Sequence, residues 1–160
     1  MSATPYSPVE LFVSYSQIAV FGTGVENPFN RWTDNHVMQG FSWRPESVCF
    51  RTLEESGTLA IEVSAGTRPP AMDDALRAVR VPFKVPSRGL VEIATVTEGH
   101  QFRLRPGTCN LLFLAGRRRG GGCWGRLAFL YGREDPPAIL VADGDLDAGR
   151  RLLMEAEPAT

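Results

Sequence analysis

The run F-V-S-Y-S-Q-I-A-V-F at residues 12–21, the block N-P-F-N-R-W-T-D-N-H-V-M-Q-G-F-S-W-R at 27–44 and V-C-F at 48–50 decide how the chain is read. Alternation in the first ten residues predicts one strand. Val13, Tyr15, Gln17, Ala19 and Phe21 share one face, and Phe12, Ser14, Ser16, Ile18 and Val20 the other. The second block carries the signals of a short helix over residues 33–39. Thr33 suits the N-cap, Asp34 the positive end of the dipole, and Trp32 can pack on Val37 as a hydrophobic staple. Gly40 suits a left-handed stop.

Working outward, Val48–Phe50 and Thr58–Ser64 alternate on either side of the turn at Glu54-Glu55-Ser56-Gly57. In residues 76–85, Val79, Val81, Phe83 and Val85 share a face, and Pro82 places that strand at an edge or a bulge. Further strands are expected over 90–96, 101–105, 108–115, 124–131 and 138–142, and Asp145 can cap a short C-terminal helix through Met154. The result is a mainly β chain, an antiparallel β-sandwich of about eight to ten short strands with one short helix near 33–39. Residues 1–8 are expected as a flexible lead, 9–154 as a single domain and 155–160 as a frayed tail.

Composition excludes several classes. A net charge of -1 with 22% charged residues gives no electrostatic footprint for gripping a nucleic-acid backbone, so no direct nucleic-acid partner is expected. No apolar run reaches the ~20 residues of a membrane helix, and the N-terminus lacks signal-peptide character. Three scattered cysteines, Cys49, Cys109 and Cys123, fit a reducing cytoplasm, where the protein is expected.

Chemistry is sparse. Of the two histidines, His36 reads as a partly exposed helix residue and His100 as a turn residue, with no ligand set at metal spacing and no nucleophile context. No cofactor, metal or catalytic residue is assigned. Asp143, Asp145 and Asp147 lack the remaining positions of a calcium loop and read as a helix start. Arg117-Arg118-Arg119 in a glycine-rich loop can contact phosphate or an acidic partner, against the plainer reading of a solvated hairpin. Among the aromatics, Tyr15, Phe21 and Phe50 are assigned to the core, while Phe29, Trp32 and Trp43 divide between core and contact surface.

The residues also carry a family likeness. V-S-Y-S-Q-I-A-V-F at 13–21, W-T-D-N-H-V-M-Q-G-F at 32–41, V-C-F at 48–50 and V-R-V-P-F-K-V at 79–85 resemble the competence protein J family over roughly residues 9–143. That resemblance implies a bacterial, non-enzymatic protein that binds and inhibits a nuclease. It also implies that Tyr15, Gln17, Trp32, Thr33, Asp34 and Gly40 form the family signature, as structure or as contact. A cationic nuclease site favours an acidic inhibitor face, with Glu26, Asp34, Glu54 and Glu55 as candidates beside Trp32 and Trp43. The competing reading is a small-ligand-binding or enzymatic sandwich with a pocket at Tyr15, Gln17, Trp32 and His36.

Overall fold

The structure is a computed structural model and describes residues 4–5 and 8–160. In chain order its elements are β1 (Thr4–Pro5), β2 (Val9–Val13), β3 (Gln17–Gly22), α1 (Asp34–Gln39), β4 (Phe41–Arg44), β5 (Ser47–Arg51), β6 (Gly57–Gly66), β7 (Arg77–Val85), β8 (Leu90–Ala94), β9 (Gly99–Arg103), β10 (Gly107–Arg117), β11 (Cys123–Leu130) and β12 (Ala138–Val141). The larger sheet runs β1-β6-β11-β10-β7-β12, with β2 also on β6, and the smaller runs β4-β5-β3-β8-β9. Period-2 alternation drives the two together. Leu59, Ile61 and Val63 of β6 and Val79, Val81, Phe83 and Val85 of β7 are buried against Ile18, Val20, Val48, Phe50, Val91 and Ile93 of the smaller sheet. Phe50 stacks on Phe113 across the interface, with ring centroids 4.9 Å apart. The mainly β sandwich with one short helix is the expected architecture, with one difference. β11 and β6 pair in parallel, with the long connection through β7–β10 supplying the crossover that a parallel pair needs.

The opening run is two strands, not one. Ser14 bridges Gln17 in antiparallel register, with Tyr15 at φ 59 and Ser16 at φ 58 between them. Both central residues are left-handed, as a two-residue primed turn requires. Across it the chain leaves the larger sheet for the smaller, and the inward row switches from Leu11 and Val13 to Ile18 and Val20. Tyr15, assigned to the core by alternation, is therefore 77% exposed. The turn's sequence holds neither the glycine nor the asparagine that marks such turns.

Pro82 sits where its missing N–H is tolerated. β12 pairs with β7 only from Ala78 to Arg80, leaving the Pro82 half as an edge. The Pro82 carbonyl accepts from Trp43 Nε1 at 2.7 Å.

The C-terminal part departs from expectation. No helix forms over 145–154, because the aspartates make local turns instead. Asp145 N–H donates to Asp143 Oδ2 at 3.4 Å and Gly149 N–H to Asp147 Oδ1 at 3.1 Å. The tail expected to fray is hydrogen-bonded: Arg31 N–H donates to the Glu157 carbonyl, Ala159 N–H to the Phe29 carbonyl, and Pro158 bridges Asn30. Of the flexible lead expected over 1–8, residues 1–3 and 6–7 lie outside the described residues, while Thr4 and Pro5 pair with Ala65 and Ser64.

Arg77 ties these parts together. It is the first residue of β7 on the inward row and is fully buried, at 0% exposure. Its Nε and Nη2 donate to the two oxygens of Asp143 at 2.8 Å each, and Nη1 donates to the carbonyls of Arg51 at 2.7 Å and Thr52 at 3.3 Å. Burial alone would raise the Asp143 carboxyl, but the hydrogen bonds and charge of Arg77 outweigh it and hold that carboxyl below its ordinary value. The carboxylate thus contributes stability above its unfolded value of about 4, and that contribution is lost as pH falls toward the lower folded value. Asp143→Asn strands a buried guanidinium and should cost about 3–5 kcal/mol at pH 7. Urea unfolding of both proteins should show this gap narrowing below about pH 4; a gap that persists undiminished in acid would refute the assignment.

Candidate partner-binding site

The registers place one group of loops at one end of the sandwich. Val13 lies opposite Gly57, Gln17 opposite Arg51, Leu59 opposite Cys123, and Ala115 opposite Arg77. The Tyr15–Ser16 turn, the 52–56 loop, the 118–122 loop and the 142–147 segment therefore cluster there. Backbone bonds lock the first two: Ser16 N–H donates to the Glu55 carbonyl at 2.9 Å, and Thr52 N–H to the Ser16 carbonyl at 2.8 Å. Tyr15 is held outward by this frame, in a conformation a bulky side chain adopts only at a cost of about 1–2 kcal/mol.

Helix α1 is built as its sequence suggests. Thr33 at the N-cap accepts from His36 N–H, and the His36 ring reciprocates by accepting from Thr33 N–H at Nδ1, 3.0 Å away. The other ring nitrogen, Nε2, donates to the Glu155 carbonyl at 2.9 Å. His36 is thus 2% exposed rather than partly exposed, and each ring nitrogen is engaged by a backbone group. At the other end Gly40 is left-handed at φ 86, and a Cβ there would lie 3.0 Å from Leu146 Cδ2. Arg51 Nη1 donates to the Val37 carbonyl at 3.1 Å and the Asp145 carbonyl at 3.2 Å, capping the helix terminus.

Between turn and helix lies an open cleft of about 380 Å³ lined by Tyr15, Ser16, Gln17, Trp32, Val37 and Arg51. Trp32 Nε1 donates to Gln17 Oε1 at 2.9 Å, which explains both residues in one pattern. With Phe29, Trp32 also covers Ala19, Phe21, Cys49 and Ala94 on the outer face of the smaller sheet. Asn30 fastens this cover, donating through Nδ2 to the Ser42 and Ser47 carbonyls at 2.8 Å each and accepting from Arg44 at 2.6 Å.

The structure brings Tyr15, Gln17 and Trp32 together and separates the other candidates. His36 does not line their cleft; it borders a different depression with Arg31, Thr33, Leu153 and Glu155. The acid–base pocket drawn from Tyr15, Gln17, Trp32 and His36 is therefore not assembled. Asp34 is exposed in the first helical turn beside Trp32, and Glu55 is exposed beside the Tyr15 turn. Glu26 is exposed on the covering segment. Among the described residues, no ion pair involves Glu26, Asp34 or Glu55. Trp43 packs on the inter-sheet core, on the opposite face of the smaller sheet from Trp32. Alternation alone could have exposed Arg77, since it shares the odd row of Val79 and Val81; nothing local marks Arg51 as a helix cap.

The thiols are not poised for chemistry. Burial pushes Cys49 and Cys109 up to about 12 and, with Glu54 nearby, Cys123 to about 11. Among the described residues, no group of three or more His, Cys, Asp or Glu is placed to hold a metal ion, and no helix is long and apolar enough to cross a membrane.

The description "Competence protein J (ComJ)" matches residues 10–122, which span the turn, the helix, the cleft and the two sheets as far as the end of the 118–122 loop. The chain belongs to the competence protein J family. No curated protein sequence matches it. Among solved structures it is similar to ComJ of Bacillus subtilis, described as the inhibitor of the DNA-degrading activity of NucA. The TM-score is 0.73 at 19% identity, covering 81% of this chain and 98% of that one. It is also similar to a protein described as crocagin biosynthetic gene J, at TM-score 0.60 and 16% identity, covering 83% and 100%. These likenesses bear on the fold. The matched family segment stops before the C-terminal strap, residues 143–160, so Asp143, the carboxylate partner of Arg77, lies outside it.

Two substitutions separate architecture from contact here. Gly40→Ala meets both a left-handed backbone and Leu146, and should lower stability by about 1–2 kcal/mol in denaturant titrations. Tyr15→Asn places a residue that tolerates φ > 0 and should leave stability unchanged or raise it by up to about 1 kcal/mol. A clear loss with Tyr15→Asn would mean that the ring supports the fold.

Proposed function

We propose that this chain is a non-enzymatic inhibitor that binds a nuclease through the end of the sandwich around Tyr15, Trp32, Asp34 and Glu55. The observation that carries the reading is Tyr15 itself. A large amphipathic ring stands in solvent on a strained turn, held there by two backbone bonds from the 52–55 segment. Strain of that kind persists where the surrounding structure enforces it, and such sites cluster at binding surfaces. Trp32 extends the apolar contact, and its indole is already fixed by Gln17, so little side-chain entropy is lost on association.

The carboxylates give the face its sign. Among the described residues Asp34 and Glu55 have no counter-ion, and Glu26 adds a further exposed carboxylate on the covering segment. A nuclease that grips a polyanion presents a cationic groove, which such a rim attracts and orients. Family membership and the likeness to a nuclease inhibitor support the same partner class. In this reading Thr33 and Gly40 set the helix that carries Asp34, and Trp43 belongs to packing.

The test is inhibition of DNA degradation by a NucA-type nuclease from the same organism. Tyr15→Ala should weaken inhibition by roughly 30-fold, a hot-spot loss of about 2 kcal/mol. Asp34→Lys should weaken it by a similar or smaller factor, with the loss concentrated in the association rate at low salt. Both variants should melt within a few degrees of the unmodified protein. Undiminished inhibition by both would remove this face from the contact.

A further inference from the structure

We propose that the arginine loop at 117–119 is a second docking element on the same end of the molecule, and that it seats on a carboxylate cluster of the partner. In a metal-dependent nuclease such a cluster is the divalent-cation site. The inference rests on the nuclease-binding reading above and adds the chemistry of a second contact.

The loop closes the β10–β11 hairpin beyond the pair Arg117–Cys123. Arg118 N–H donates to the Gly122 carbonyl at 2.9 Å, and Gly121 N–H to the Arg118 carbonyl at 3.3 Å. Gly120, Gly121 and Gly122 are all left-handed, at φ 85, 113 and 80, so the tip is shaped by backbone that only glycine adopts freely. Arg117, Arg118 and Arg119 are exposed, and no ion pair among the described residues involves them. Arg117 Nη1 donates to Cys123 Sγ at 3.8 Å. The loop adjoins the acidic side of this end, since Glu54 and Cys123 line one small cavity. Three exposed guanidiniums thus stand beside Glu54 at this end, and Arg118 also borders a depression with Glu62 and Asp74 without pairing to either.

A carboxylate cluster fits this loop better than nucleic acid does. A polyphosphate is an extended polyanion that would run from the loop onto Glu54, Glu55 and Asp145 at the same end of a chain of net charge -1, whereas a compact carboxylate cluster engages the loop alone. The nearest indole offers no platform for a base. One side of Trp124 lies so close to Gly116 that a Cβ there would be 2.3 Å from the ring, and the Arg126 guanidinium sits 4.4 Å from the ring centroid. Guanidinium forks match carboxylates bidentately. A nuclease's cation is held by carboxylate oxygens, so loop and cation compete for the same atoms.

The experiment measures binding to a NucA-type nuclease of the same organism, without DNA, at fixed ionic strength and with Mg²⁺ varied from chelated to saturating. The unmodified protein should bind about tenfold more weakly at saturating Mg²⁺. Arg118→Ser/Arg119→Ser should bind about tenfold more weakly than the unmodified protein without Mg²⁺, and Mg²⁺ should not change its affinity. Melting curves confirm that the variant is folded. Equal affinity of the two proteins without Mg²⁺, or an equal response to Mg²⁺, overturns the proposal while leaving Tyr15-dependent inhibition intact. Loop-dependent binding of labelled single-stranded DNA in the absence of nuclease also overturns it, in favour of a polyphosphate site. Failure of the unmodified protein to bind the nuclease overturns this inference together with the inhibitor reading.

Discussion

A buried guanidinium is costly to desolvate, and Arg77 is tolerated because its donors are met on several sides at once. Asp143 takes Nε and Nη2, and the carbonyls of Arg51 and Thr52 take Nη1. Those partners belong to different parts of the fold. Arg77 begins a strand of the larger sheet, Arg51 ends a strand of the smaller one, and Asp143 follows the last strand. One side chain therefore fixes how the two sheets and the start of the C-terminal strap meet at this end of the sandwich. Hydrophobic burial brings the sheets together without specifying their ends; a planar fork with directional donors does specify them.

From that junction order propagates outward. Thr52, whose carbonyl Arg77 engages, donates its N–H to Ser16 and so anchors the turn that lifts Tyr15 into solvent. Arg51, whose carbonyl Arg77 also engages, uses its own guanidinium to cap α1 and hold the Asp145 carbonyl. Asp147 N–H then donates to the Met38 carbonyl, and Leu146 fills the space that glycine leaves open at position 40. The strained turn and the short helix are both too small to be stable alone. Each is tied to the buried Arg77, the helix through Arg51 and the turn through Thr52. In the proposed binding mode, a surface of two preset elements would lose little conformational entropy on association.

The C-terminal strap does a second job. Gln39 donates to the Leu153 carbonyl at 3.0 Å and accepts from its N–H at 2.8 Å, and His36 donates to the Glu155 carbonyl. Polar groups of α1 that would otherwise be buried without partners are satisfied by a segment over a hundred residues later in the chain. This accounts for a buried histidine without chemistry: its ring is a structural connector between the N-cap and the strap.

Local signals sufficed for much of this. Period-2 patterning in residues 57–66 and 77–85 determined strands and their inward rows, and Thr33 with Gly40 determined the helix and its ends, because these features depend on neighbours within a few residues. Pro82 likewise called for an edge or a bulge, and its half of β7 is an edge. The turn at Tyr15–Ser16 was not legible, since the usual glycine or asparagine is absent and its left-handed backbone is enforced by bonds from residues 52 and 55. Nor was the burial of His36 or the irregular course of 143–160, because their hydrogen-bond partners are distant in sequence. The sequence by itself determined a β-sandwich with one capped helix and the set of residues worth watching. Only the tertiary structure decided which of them meet, because long-range pairs such as Arg77 with Asp143 are chosen by packing geometry rather than by spacing.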